Sequence, residues 1–213
     1  MSTERVDVVQ IARDIAGCSA SHHALVTHLR GLRSVDPTTP SRLPDWTVGH
    51  VLTHIARNAS GHLEMLAGRP QYERGVESRN EDIENGSRRS WDPLIDDVEA
   101  TCAALELAWA AVTDWSGTCT MVVGDRPKQL LPFLRQREVE IHRVDLGLGY
   151  EFSDMPGEYI RKDLRLCAMV WNARKPMGMT PLPSVVLGVP PHERLAWMIG
   201  RHEIEGVEAA SLV

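Results

Sequence analysis

Apolar residues recur at three- and four-residue steps along most of the first 150 positions, the periodicity of amphipathic helices. Val9, Ala12, Ile15, Ala16, Leu25, Leu29 and Leu32 place a first helix over Val6 to Leu32, with Gly17 weakening its middle. Pro37, Pro40 and Pro44 then break helix. Asp45 is the expected N-cap of a second helix, whose stripe runs through Val48, Val51, Leu52, Ile55, Ala59, Leu63 and Leu66 until Gly68-Arg69-Pro70 ends it. Residues 71–91 are polar and read mostly as a long connection, in which Arg79-Asn80-Glu81-Asp82-Ile83 could start a short helix. Loops of that length in compact domains are usually functional or mobile.

Asp92-Pro93 opens a third long helix, an acidic N-cap followed by proline, and Leu94, Val98, Cys102, Leu105, Trp109 and Val112 carry it to about Trp115. Thr118–Val123 and Arg126–Leu130 around Gly124-Asp125 read as a small hairpin or an irregular loop. A fourth long helix follows from about Leu131 to Leu148, and another starts at Asp154-Met155-Pro156 and extends to about Asn172. Pro183–Val189 is predicted as a short strand and His192–Gly200 as a short helix. The pattern therefore predicts a mainly α protein: a helical bundle over 1–150 and a short C-terminal α/β extension over 151–213.

Composition narrows the function classes. Lys+Arg is 23 against Asp+Glu 29, a net charge of −6, and no basic stripe stands out, so nucleic acid and anionic membrane surfaces are excluded as partners. No apolar run approaches 18 residues and the N-terminus has no secretory signal, which makes the cytoplasm the expected compartment. Cys18, Cys102, Cys119 and Cys167 form no CxxC and are expected as reduced, packed thiols. No glycine-rich phosphate loop and no GxSxG is present.

Two spacings carry candidate chemistry. His50 and His54 sit at i and i+4 in the second helix, and Glu138 and His142 at i and i+4 in the fourth. Such pairs lie one turn apart on nearly one helix face. A carboxylate and an imidazole so placed, with a histidine from a facing helix, give three ligands to a divalent ion and leave a fourth position open, as in catalytic zinc sites. The same spacings also suit a helix-surface ion pair or a satisfied core histidine.

The segment Leu43-Pro44-Asp45-Trp46-Thr47-Val48-Gly49-His50-Val51-Leu52-Thr53-His54-Ile55-Ala56-Arg57-Asn58 resembles the second-helix motif of the DinB-like superfamily, and within it that of mycothiol-dependent maleylpyruvate isomerases. Three further segments resemble that family in the same order: Arg79-Asn80-Glu81-Asp82-Ile83, Arg137-Glu138-Val139-Glu140-Ile141-His142 with Arg143-Val144-Asp145-Leu146-Gly147, and, more weakly, Gly200-Arg201. The resemblance implies a DinB-like metal-binding four-helix bundle with His54, Glu138 and His142 as ligands to zinc or another divalent metal. It implies Arg201 as the residue implicated in activity. Asn58, one turn after His54, and Arg79 and Asn80 are expected to line the thiol cofactor's cavity, with an exposed asparagine and a helix-start ion-pair cluster as the plainer readings. His50 is expected to pack or to support His54 rather than to ligate.

The implied partners are a small-molecule thiol, mycothiol, and an electrophilic substrate, and the superfamily often forms homodimers. In the isomerases the metal-activated thiolate adds to the cis double bond of maleylpyruvate, the bond rotates, and elimination leaves fumarylpyruvate. Two alternatives stay open: a mycothiol S-transferase of detoxification or natural-product biosynthesis, and a non-catalytic DinB-like module. The family's isomerases carry a longer C-terminal α/β domain, whereas about forty residues follow Asn172 here; a shortened lid favours a bulky acceptor and hence transfer.

Overall fold

The computed structural model describes residues 6–173 and 181–210. Helix α1 spans Val8–Gly31, α2 Val48–Leu66, α3 Val76–Gly86, α4 Trp91–Ala111 and α5 Leu131–Asp145. An antiparallel hairpin, β1 Thr118–Met121 and β2 Gly124–Pro127, pairs Thr118 with Pro127 and Met121 with Gly124 between α4 and α5. Then follow α6 Gly157–Ala173, α7 Ser184–Gly188 and α8 Pro191–Met198. The backbone divides into two compact units, Met1–Leu148 and Gly149–Val213.

The first unit is a four-helix bundle in which α1 packs on α4 and α5, and α2 packs on the same two, so α1 and α2 stand diagonally opposite. Leu25 and Leu29 of α1, Val51, Leu52 and Ile55 of α2, Val98 of α4 and Val139 of α5 fill its core. All but Val139 are the stripe residues that the periodicity places on one face, which is why the first three long helices were legible. None of the four cysteines is bridged, and all are buried.

The helix ends depart from the sequence reading. Asp45 does not cap α2; it sits in the turn before it with φ +62°, and Thr47 is the N-cap. The cap closes through His50, whose Nδ1 accepts from the Thr47 N–H at 3.2 Å, in the manner of a capping box. Likewise α4 begins at Trp91 behind Ser90, leaving Asp92 inside the first turn where its charge suits the helix dipole.

The polar stretch 71–91 is largely the helix α3, in which Ile83 is the buried residue. It packs along α2, where a Cβ at Gly86 would lie 2.5 Å from Thr53 Cγ2, and its flanks come as close: a Cβ at Gly49 would lie 2.2 Å from Ser87 O, and one at Gly61 2.6 Å from Gln71 O. A helix held by tertiary contact shows no stripe of its own.

The second unit is helical over its described residues, with α8 packed on α6 and on the 3₁₀ turn Phe152–Asp154. The predicted strand Pro183–Val189 is instead the short helix α7, closed by Leu187 N to Pro183 O at 3.2 Å. The three-residue apolar run Val185–Leu187 fits either period.

Inside the bundle a polar cluster replaces part of the oil. Arg135 of α5 is completely buried and donates to Ile55 O at 2.9 Å, Asn58 Oδ1 at 2.9 Å and His22 Nε2 at 3.1 Å. Because Nε2 of His22 accepts that bond, its Nδ1 carries the proton and donates to Glu106 Oε1 at 2.8 Å.

His62 is fully buried on α2, and neither ring nitrogen has a hydrogen-bond partner among the described residues. Burial, reinforced by the nearby Arg135 charge, holds its pKa down at about 3. The unfolded chain, with an ordinary histidine, binds this proton below about pH 6.5 while the folded chain does not. Stability should therefore fall as pH drops from about 6.5 towards 3, by as much as about 1.4 kcal/mol per pH unit from this one group. His62→Phe should flatten that slope and raise stability at neutral pH by about 1–2 kcal/mol, as denaturant titrations of the two proteins at pH 7 and pH 4.5 would measure.

Candidate metal centre

Because α2 and α5 are neighbours, the fold sets His54 against the i, i+4 pair of α5. His54 Nε2 lies 3.1 Å from Glu138 Oε2 and 3.0 Å from His142 Nε2, and His142 Nε2 lies 3.5 Å from Glu138 Oε2. These three form a cluster of the kind that holds a metal ion, the sole one found among the described residues. A tetrahedral ion with bonds of about 2.0–2.1 Å spaces its ligand atoms by roughly 3.3 Å, close to the observed triangle. The side chain of His54 is 8% exposed and that of His142 15%, whereas Glu138 keeps 32%, so the cluster is reached from the glutamate side.

The protonation states of His54 and Glu138 suit ligation. Burial drives the His54 pKa down to about 4, and the His142 and Arg79 charges act in the same sense against the opposing Glu138 bond, so the ring is neutral at pH 7. Burial alone would raise Glu138, but its hydrogen bonds to His142 and His54 outweigh that and hold it well below the ordinary carboxylate range. His142 Nδ1 sits 2.9 Å from Oδ2 of the buried Asp145, which orients the ring and points Nε2 into the cluster. Burial pushes His142 down, but Asp145 and Glu138 together raise it.

The remaining candidates fall in different places. Arg79, half-buried on α3, puts Nη2 2.5 Å from His54 Nδ1 and donates from Nη1 to Asn80 Oδ1 at 2.8 Å. Its guanidinium lies 5.6 Å from the Tyr72 ring and 6.0 Å from that of Trp46. Asn80 is exposed, and the contact it makes is to hold Arg79. Asn58 is buried one turn after His54 with its Oδ1 committed to Arg135.

His50 stays out of the cluster, as expected: its Nδ1 closes the cap of α2 and its Nε2 meets Glu84 at 3.1 Å. Arg201 lies in the second unit. Its N–H donates to Ala196 O at 2.8 Å as Gly200, at φ +73°, ends α8, so the Gly-Arg pair is also a helix stop.

Three site residues escaped the sequence reading. Asp145 was named only within the fourth-helix motif. Trp46, named only within the second-helix motif, stands with its ring 5.5 Å from that of His54. Tyr72 lay in the stretch taken for a connection.

A four-helix bundle with two histidines and a glutamate converging from adjacent helices defines a class of small helical proteins built around a metal-type site. The particular family is given by comparison: the profile of the mycothiol maleylpyruvate isomerase N-terminal domain matches residues 18–147, and the chain belongs to that family. Two solved structures share its fold, the crystal structure of the mycothiol-dependent maleylpyruvate isomerase at 23% identity and that of a histidine-to-alanine mutant of it at 22%. Each gives a TM-score of 0.77 and covers 90% of this chain and 89% of that chain. No curated protein matches the sequence. The near-equal coverage also corrects the expectation of a cut-down tail, because this chain is not short beside the solved isomerase.

Proposed function

We propose that the protein is an enzyme that uses mycothiol, held at a divalent ion on His54, Glu138 and His142, to isomerise a maleylpyruvate-like cis-unsaturated acid. The observation that carries this reading is the triangle of 3.0, 3.1 and 3.5 Å between one neutral imidazole, one ionised carboxylate and a second imidazole oriented by Asp145. Neutral nitrogen donors with one carboxylate suit zinc. When bound, the ion and thiol supply a sulfur anion at neutral pH that can add to the cis double bond, free it to rotate, and leave again.

The chain's own residues orient and stabilise. Asp145 fixes the His142 tautomer, and Glu138 offsets positive charge on the side from which the cluster is reached. Ligation through His54 Nε2 requires the proton on Nδ1, which turns that nitrogen from acceptor to donor and releases Arg79 to other acceptors. Arg201 is assigned a carboxylate-binding role from the family resemblance, where a guanidinium grips planar anions bidentately.

The chemistry of thiol transfer needs the same activated sulfur. Its sequence support was the shortened tail, which the near-equal chain coverage removes, so isomerisation is the reading adopted. Incubation of the zinc-loaded protein with mycothiol and maleylpyruvate tests it: the trans product should accumulate with no net loss of thiol. Thiol consumed in proportion to product would contradict it.

Asp145→Ala should weaken zinc binding by about 10- to 100-fold while leaving the helical signal intact. Competition with a chromogenic chelator measures it.

A further inference from the structure

The two histidines of the cluster are held by different means. His142 has Asp145 behind it, the acceptor that a ligating histidine ordinarily finds for its second ring nitrogen. His54 is placed otherwise: among the described residues the partner at its Nδ1 is Arg79, whose guanidinium is a donor only. Ligation through Nε2 puts the proton on Nδ1, so a loaded site gives up that bond. The His54 ring then depends on packing for its orientation.

Aromatic contact supplies that packing. The Trp46 ring stands 5.5 Å from His54 at an interplanar angle of 63°, and the His142 ring stands 4.5 Å from it at 86°. Both are edge-to-face arrangements, whose attraction depends on the orientation of the rings and not on their bulk alone. Trp46 also stacks on His50 at 6.1 Å, and the Arg79 guanidinium lies 6.0 Å from its ring, at cation–π range. One indole therefore borders both the ligand histidine and the arginine that ligation displaces.

The segment that carries this ring is fixed. The Trp46 carbonyl accepts from the Ser41 N–H at 2.9 Å and from the Ser41 hydroxyl at 2.7 Å, and its N–H donates to Leu43 O at 3.2 Å. Asp45, directly before it, stands at φ +62°, an uncommon conformation for a residue with a side chain. The half-buried ring also packs against the bundle core.

We infer that Trp46 is a positioning residue of the metal centre. Its ring sets the orientation of His54, as Asp145 sets that of His142, and keeps the Arg79 guanidinium beside the cluster once His54 Nδ1 carries a proton. The inference rests on the metal reading of His54, Glu138 and His142.

Zinc affinity, measured by chelator competition on folded variants, separates the ring from its volume. Trp46→Leu keeps an apolar side chain against the core and should weaken zinc binding by about tenfold, the order that losing a residue behind a metal ligand costs. Trp46→Phe restores an aromatic face and should recover most of that loss. A role in core packing alone would rank the two variants alike. The second readout is the Trp46 indole N–H resonance, assigned by its loss in Trp46→Phe, which should shift when zinc is added to the wild type. Should Trp46→Leu unfold, that shift decides. Wild-type zinc affinity in Trp46→Leu, a phenylalanine variant no better than the leucine one, or an indole resonance unmoved by zinc would overturn the inference and leave the metal reading standing. Failure of the wild type to bind zinc would overturn both.

Discussion

His54→Ala is expected to abolish stoichiometric zinc binding and thiol-dependent turnover together, with little change in the fold. The three ligand atoms lie within 3.5 Å of one another, so each is shared by two contacts and loss of one leaves a two-ligand site. Two protein ligands hold zinc poorly where catalytic sites use three. A metal's charge stabilisation is worth several kcal/mol, and at about 1.4 kcal/mol per tenfold the rate should drop by about a thousandfold or more. His54 lies on the polar side of α2 while Val51, Leu52 and Ile55 fill the bundle core, so the helix should persist. Metal analysis after dialysis, a rate assay and circular dichroism together check the prediction. Retained zinc at one equivalent would remove His54 from the site.

The largest expected effect on stability comes from a residue outside the triad. Arg135→Met should destabilise the protein by about 3 kcal/mol or more, because it strips the donor from several buried acceptors at once, at about 1–3 kcal/mol for each group left unsatisfied. The stranded groups are Asn58 Oδ1 and His22 Nε2, while Ile55 O, inside α2, loses its second donor but keeps its helical hydrogen bond. Methionine keeps most of the volume, so the loss reports polar satisfaction rather than a cavity. Since Ile55 follows His54 directly and Asn58 lies a turn beyond, the same change should loosen the α2 side of the cluster and weaken zinc binding. Urea denaturation at neutral pH measures the first effect and a chelator competition the second. The companion His22→Phe, which leaves the Arg135 bonds to Ile55 and Asn58 in place, should cost less.

The candidate metal cluster was legible because two of its residues use the commonest helical spacing. Glu138 and His142 face one way whatever the surrounding fold, and only the partner helix was undetermined by periodicity. The motif around Trp46 to Asn58 supplied that partner. Boundaries were less legible. Asp45 has the chemistry of an N-cap but stands at positive φ, and the cap falls to Thr47 because His50 can reach back to it. Helix α3 was obscured because its stability comes from packing on α2, as where Gly86 meets Thr53, information that is not local to residues 76–86. The strand expected at 183–189 became α7 for the reason that short apolar runs satisfy two periods.

The buried network was the least visible part. Arginine at 135 sits on a helix rich in charged residues, and nothing in its spacing distinguishes a surface guanidinium from one buried among Ile55, Asn58 and His22. Asp145 was noticed only as part of the fourth helix, although an aspartate three residues after a metal-type histidine can hold the second ring nitrogen, as it does here at 2.9 Å. Asn58, expected at the thiol, accepts through its oxygen from Arg135.

The central claim is that His54, Glu138 and His142 hold one ion with a position left for sulfur. Zinc-edge X-ray absorption on the loaded protein, before and after mycothiol is added, tests it directly. The account predicts a shell of nitrogen and oxygen neighbours that gains one sulfur at about 2.3 Å when the thiol arrives. A shell unchanged by mycothiol, or one already built from the protein's own cysteine sulfurs, would contradict it.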